Sequence, residues 1–435
     1  MALLVLTCGQ VALWWRRDNV GAYLQAGLFF SSVLIPLVGT TVVDDASPAV
    51  VDHYATVLLV GALAYALGLC CGAPHGDWSR APAVTFDRPF PGGMLPEALL
   101  RRARRIAAAG VAALAAAYVL LGFVPLLAAD RQAAKYGVGV YHAGFERGAL
   151  VYHVALALGG AVLPLMLAIA LKRRQPSDVV LCVLLGIGVA VSLSRGETFM
   201  GPLVFLVALA VERRWRPLPI LAAVCLAFVG GALVNELLYT APPVAGPSFS
   251  SRVAASAPDI SDHIGFLNGY ELSGSQQTGL KPLTAGFGLR KGYWDPADYA
   301  LRIRTGLPDV SELASGGLRL PAPIWGYAAY GYVGAAMWSF AAGVFIGWGT
   351  MLLRRLLAPV EGVPGQALNL LLARAFFAGT FGVLGNFYFP QRAGLALFAV
   401  ALALGVSRRR PAAPAPVSAG GERDPVAGQR RLTTR

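Results

Sequence analysis

VVLCVLLGIGVAVSLSRGETFMGPLVFLVALAVE, residues 179–212, is two apolar runs joined by Ser194-Arg195-Gly196-Glu197-Thr198. Each run has about 15 residues, so at ~1.5 Å per residue each helix covers only ~22 Å of a ~30 Å hydrocarbon core. The turn between two such helices sits below one membrane surface, or the bilayer thins around it. An arginine at that depth is costly unless it faces a cavity and has a partner. Two readings fit Arg195. In one it meets the diphosphate of a lipid carrier, whose oxygens a planar guanidinium grips two at a time. In the other the turn is structural, Gly196 permitting it, with Arg195 paired to Glu197 or snorkelling to the interface.

Outward from that turn the chain stays apolar. Its 435 residues are 56% hydrophobic and 14% charged, with a mean hydropathy of +0.59, too apolar for a soluble chain to cover. The pattern predicts an all-α polytopic membrane protein of about eleven spans, most near the ~20 residues a crossing needs. They fall at residues 1–15, 20–43, 54–74, 105–128, 151–171, 179–194, 198–212, 217–239, 325–353, 365–388 and 393–407. Basic clusters at Arg16 and Arg17, at Arg101, Arg102, Arg104 and Arg105, at Lys172 to Arg174, at Arg213, Arg214 and Arg216, at Arg354 and Arg355, and at Arg408 to Arg410 alternate so that all share one face. By the positive-inside rule that face is cytoplasmic, which puts the N-terminus outside and the C-terminus inside.

The net charge of +13 is accordingly a topology signal, and without a basic soluble domain no nucleic-acid partner is expected. No basic stretch precedes the first apolar run, which argues against a cleaved signal peptide. The five cysteines lie in or at the ends of predicted spans and predict neither a disulfide framework nor a Cys metal site. The five histidines show no i, i+4 pair, so zinc is not expected. Asp44-Asp45, in the first outer loop, is the remaining metal candidate, and helix-end carboxylates in water explain it equally well.

Residues 1–239 hold the first eight helices, 240–321 a large extracytoplasmic loop, 322–407 the last three helices, and 408–435 a disordered cytoplasmic tail. A loop of that length exceeds ordinary connectors and points to function. It carries Arg252, Lys281, Arg290, Lys291, Arg302, Arg304 and Arg319, with Asp259, Asp262, Asp295, Asp298, Asp309 and Glu312 between them. Phe266, Tyr270, Phe287, Tyr293, Trp294 and Tyr299 add aromatic faces. Aromatic rings and carboxylates suit a sugar-binding groove and the cations suit diphosphate; a solvated domain of mixed charge is the alternative. Beyond the loop, Pro321 to Gly334 leads into the next span. Gly331 and Gly334 allow close helix packing there, and Trp325, Tyr327, Tyr330 and Tyr332 read as half of an interfacial aromatic belt.

Taken together, Ser194-Arg195-Gly196 between two short spans, a large outer loop with Arg252 near its start, the Gly326-Tyr327-x-x-Tyr330-Gly331-Tyr332-x-Gly334 entry and a basic outer turn at Arg392 resemble the Wzy-type oligosaccharide repeat-unit (O-antigen) polymerases. More distantly they resemble the O-antigen ligases. The resemblance covers most of residues 179–406, and the earlier spans match only in hydropathy. It implies a GT-C-like fold and a metal-independent, inverting glycosyltransferase with no cofactor. Its substrates would be undecaprenyl-diphosphate-linked saccharides at the outer face of a bacterial inner membrane, with flippase and chain-length regulator proteins as partners. Arg195 matches the family's Ser-Arg-Gly arginine and Arg252 the loop arginine. No His-Asn pair precedes the Gly-rich entry, where Pro323-Ile324 stands instead, a departure from the ligase pattern.

The mechanism this implies uses Arg195 and Arg252 to stabilise charge on the departing diphosphate. One of Glu197, Asp259, Asp262 and His263 takes the proton of the acceptor hydroxyl. Arg290, Lys291, Arg302, Arg304, Arg319, Tyr327, Tyr330 and Arg392 are the expected substrate contacts. The alternatives are a ligase or other lipid-linked-sugar glycosyltransferase, and a flippase or transporter with no chemistry. A transporter path would want polar groups through the spans, where ionisable residues are few beyond Arg374 and Glu236.

Overall fold

The computed structural model describes residues 47–72, 97–213, 260–274, 277–281, 296–310, 318, 320–356 and 362–380, with isolated helical positions at 36, 226, 229–231 and 233. Among them there are only helices and turns. We number the α-helices α1 (Pro48–Gly72), α2 (Glu97–Leu121), α3 (Arg131–Tyr136), α4 (His142–Arg173), α5 (Pro176–Ala190), α6 (Arg195–Glu212), α7 (Ile260–Leu272), α8 (Pro296–Thr305), α9 (Ala322–Leu356) and α10 (Val363–Thr380). The expected spans at 1–15, 20–43, 217–239 and 393–407 lie outside the described residues apart from the isolated positions, as do Asp44, Asp45 and the tail.

Among the described residues, four stretches are long and apolar enough to cross a bilayer: α1, α2, Arg131–Arg173, and Ala322–Gly349 of α9. α5 and the Gly201–Glu212 part of α6 are shorter apolar helices. The chain is therefore an all-α membrane protein.

α2, α4, α5, α6 and α10 pack together. α2 and α4 run antiparallel. At one end Leu121 sits against Gly144 and Gly148, where an added Cβ would meet its backbone; at the other, Arg173 Nη1 lies 3.1 Å from Glu97 Oε2. The second end gathers the basic clusters of α2 and α4 around the start of α5. Asp178 is wholly buried there, with Arg104 Nε at 2.6 Å and Arg173 Nε at 3.9 Å. Neither contact has hydrogen-bond alignment, so the carboxylate is held by charge, helped by its place in the first turn of α5.

α1, α7, α8 and α9 form a second packed group. α1 and the long arm of α9 run parallel, Gly61 beside Ser339 and Gly72 beside Val344, with added Cβ atoms at Gly68, Gly72 and Gly343 meeting the facing backbone. Small residues allow this approach of main chain to main chain.

α9 is not the straight span the sequence predicts. Its helical geometry fails at Tyr330 (φ −152°, ψ 32°) and Gly331 (φ 64°, ψ −151°), and the arm before the break folds back on the arm after it. An added Cβ at Gly326 would strike the Gly334 carbonyl, and one at Gly334 the Gly326 carbonyl. Gly331 supplies a left-handed φ that other residues rarely adopt.

Gly61 of α1 touches both Pro323 and Ser339, while His53, two turns earlier, bonds Tyr332. Eight residues of helix separate the two levels, or about 12 Å. The chain therefore descends to the depth of Gly61, climbs through residues 322–329, breaks, and descends again. Irregular backbone is tolerated at such depth only inside protein. The lead-in meets that demand: Leu318, Leu320, Ala322, Ile324 and Trp325 are buried, and Pro321 and Pro323 bring no N–H to satisfy. Trp325 is 2% exposed and packs on Phe266 of α7, so it is a core residue and not part of an interfacial belt.

Candidate functional site

Two regions carry the chemistry, both at the ends of the helices opposite the basic clusters. The first is the turn between α5 and α6. Tyr118 donates to the Gly188 carbonyl at 2.6 Å and Tyr152 to that of Ser192 at 3.3 Å. Tyr152 lies ten residues into α4, so the turn is about 15 Å below the start of that helix. Above it residues 122–141 form a cap: two short 3₁₀ turns flank α3, which Asp130 caps at Ala133 N–H (2.9 Å). The cap is pinned to the turn by Leu126 N–H on the Val191 carbonyl (3.1 Å).

Within the turn, the left-handed residue is Leu193 (φ 59°) and not Gly196, which is already helical. Ser192, fully buried, holds the bend by donating to the Val189 carbonyl at 2.6 Å and accepting Ser194 N–H at 3.1 Å. Ser194 is the N-cap of α6, and its side chain makes no capping bond. The first intrahelical bond is Thr198 N–H to the Ser194 carbonyl, 3.0 Å. Arg195, Gly196 and Glu197 thus occupy the first three helical positions, whose N–H groups have no partner within the helix. The side chains of Arg195 and Glu197 lie outside the described ones.

The second region is the outer loop where it sits on α1 and α9. Its described part is a packed layer rather than a solvated one. Ile260, Phe266, Leu267, Leu318 and Leu320 share a core with Tyr54, Ile324, Trp325 and Ala328. Asp262 and Arg304, expected as base and substrate contact, meet each other at 2.6 Å, tying α7 to α8. His263 is 3% exposed and its Nδ1 bonds the Tyr54 hydroxyl at 3.0 Å, which makes it a tie between α7 and α1 out of reach of solvent. Arg302 is exposed on α8. Arg252, Asp259, Arg290, Lys291, Arg319 and Arg392 lie outside the described residues.

Tyr327 and Tyr330 lead to a cluster that sequence reasoning missed. Tyr327 donates to Glu271 Oε1 at 2.9 Å. The same oxygen faces His53 Nε2 at 3.1 Å without hydrogen-bond alignment, and His53 Nδ1 and the Tyr332 hydroxyl share a hydrogen bond at 2.9 Å. His53 meets the edges of Tyr327 and Tyr332 at centroid distances of 4.9 and 5.7 Å. Four segments converge here: α1, α7 and both arms of α9. The end of the short arm is secured from the loop side, since the Ala328 carbonyl accepts Thr278 N–H (2.9 Å) and the Tyr270 hydroxyl (3.1 Å). Burial raises the Tyr270 pKa, which keeps that hydroxyl a donor. Tyr330, 48% exposed, stands at the break.

α6 packs on α4, α5 and α10, whereas α7 packs on α8, α1 and α9. Arg195 and the loop residues therefore belong to different helix groups. No protein-family model, curated protein or solved structure matches this chain.

Proposed function

We propose that the protein is a membrane glycosyltransferase that joins undecaprenyl-diphosphate-linked oligosaccharide repeat units into a surface polysaccharide at the outer face of a bacterial inner membrane. The observation that carries this reading is the start of α6, which lies beneath the cap of residues 122–141. A helix N-terminus with unpaired N–H groups favours an anion through both its donors and its dipole. Here an arginine occupies the first helical position and glycine the second, in a turn roofed by residues 122–141. A lipid diphosphate would reach this turn from the membrane side, beneath the cap.

In the reaction, the bond between the donor sugar's anomeric carbon and the diphosphate oxygen breaks as the acceptor hydroxyl oxygen bonds to that carbon. The hydroxyl proton leaves to a base. Arg195 and the α6 N–H groups take up the negative charge gathering on the departing diphosphate, a role filled elsewhere by a metal ion. The outer loop, fixed to α1 and α9, handles the saccharide.

Deleting the gene and separating the surface glycan on a gel tests the reading. Single repeat units in place of a ladder are expected. Full-length polymer retained on the lipid carrier would indicate a ligase, and loss of both from the outer face a flippase. The orientation has its own test: Ser275→Cys should react with an impermeant maleimide in intact cells, and Gly362→Cys only after permeabilisation. Labelling of Ser275→Cys solely from the cytoplasm would remove the outer-face reading altogether.

A further inference from the structure

We infer that Glu271, His53, Tyr330 and Tyr332 form a saccharide-binding position at the break in α9, one that takes an uncharged, hydroxyl-rich pyranose of the glycan. The inference rests on the glycosyltransferase reading only for the source of the sugar. Glu271 Oε1 already serves Tyr327 and His53. Its second oxygen has no partner among the described residues, on a side chain 49% exposed. A carboxylate oxygen so placed accepts a sugar hydroxyl in a charge-assisted bond. His53 bonds Tyr332 through Nδ1 and faces Glu271 Oε1 with Nε2, so it positions Tyr332 against the carboxylate.

Tyr330 and Tyr332 are 48% and 43% exposed. Both stand at the break, and the bond between its hydroxyl and His53 fixes Tyr332 beside the carboxylate's partners. A platform that is already rigid loses little entropy when a ring lies on it. Apolar faces plus a few placed polar groups are what such a ligand needs. The charge on Glu271 disfavours a uronic acid, and equally a lipid phosphate, by bringing like charges together. Interfacial anchoring would account for two exposed tyrosines, but it gives no reason to gather a carboxylate and an imidazole against Tyr327 and Tyr332.

The test uses purified full-length protein in lipid nanodiscs. The probe is the host's surface polysaccharide, released from its lipid by mild acid, cut to short oligosaccharides and labelled, with binding read by equilibrium dialysis. Glu271→Gln keeps an oxygen for the Tyr327 hydroxyl, so its melting temperature should match wild type. Its Kd should nevertheless rise about 10- to 100-fold, the worth of one hydrogen bond to a charged group. Tyr330→Ala should weaken binding about tenfold while Tyr330→Phe stays near wild type, because the ring face and not the hydroxyl carries the contact.

Absence of saturable binding by wild type, or a Glu271→Gln variant that binds like wild type, overturns the inference. Should Glu271→Gln fail to reach the membrane, equal binding by Tyr330→Ala and Tyr330→Phe overturns it instead. Gene deletion separates the two readings. Loss of the ladder alongside unaltered binding by Glu271→Gln removes the site and keeps the polymerase. An unchanged ladder alongside binding that Glu271→Gln weakens removes the polymerase and keeps the site.

Discussion

Arg195→Lys is expected to abolish long polymer almost as completely as Arg195→Ala, with both proteins present in the membrane at normal level. Lysine keeps the charge but loses the planar fork that holds two phosphate oxygens together. Removing one such donor from a developing anion costs on the order of 2.7–4 kcal/mol of barrier, or about 100- to 1,000-fold in rate, by analogy with oxyanion-site deletions. The measurement is glycan chain length on a gel together with the amount of lipid-linked single repeat units. Normal chain length with Arg195→Lys would make the residue an interfacial anchor and move the diphosphate site elsewhere. Gly196 adds a control, since a bulkier residue there would shade the N–H groups of the first turn without touching the charge.

Arg104→Met should lower stability by about 3–5 kcal/mol, the cost of leaving a buried charge without its partner. Asp178 is fully enclosed, and after that change its nearest cation is Arg173 at 3.9 Å. The reverse change, Asp178→Asn, should cost less. The side chains of Arg104 and Arg173 are 30% and 22% exposed, so each guanidinium reaches water when its anion is gone. Thermal unfolding in detergent, followed by loss of soluble monomer, gives both values. Equal effects would mean that Asp178 is protonated in the folded protein and contributes as a neutral group.

The sequence predicted the membrane helices well where a single property decides them. Apolar runs start within about six residues of α1, α5, α6 and α10, whereas α2 starts eight residues before its run and ends seven residues before the run does. α4 starts nine residues earlier than its apolar run because hydropathy reports the slab of lipid and not the helix. His142, Glu146 and Arg147 continue the helix above the slab, with His142 and Glu146 3.3 Å apart one turn from each other. The position of the Ser194-Arg195 turn between two short helices was readable from the apolar pattern. Its left-handed residue was not, because buried Ser192 and the cap impose that conformation on Leu193, a residue with no preference for it.

The break in α9 was hidden for a different reason. Gly-Tyr-x-x-Tyr-Gly-Tyr-x-Gly reads the same in a straight helix as in a folded one, and only contacts with Gly61 decide between them. Pro321 and Pro323 were the usable signal, as residues that suit a buried approach where donors would go unsatisfied. His53 and Glu271 are distant in sequence and obey no spacing rule. Their pairing depends on α7 lying across the head of α1, a tertiary fact with no local signature. The same fact took His263 out of contention as a base, since that packing buries it against Tyr54.

The short arm of α9 cannot enter the bilayer as an ordinary span. At residues 322–329 it is far below the ~20 apolar residues that insertion machinery releases sideways into lipid. It settles instead against packed protein, and it can do so only when α1 is present to receive Pro323 at Gly61 and α7 to close over Trp325. Synthesis from the N-terminus delivers the components in that order. Maturation of this half of the protein is therefore a folding event that follows the insertion of α1 and not an insertion step of its own.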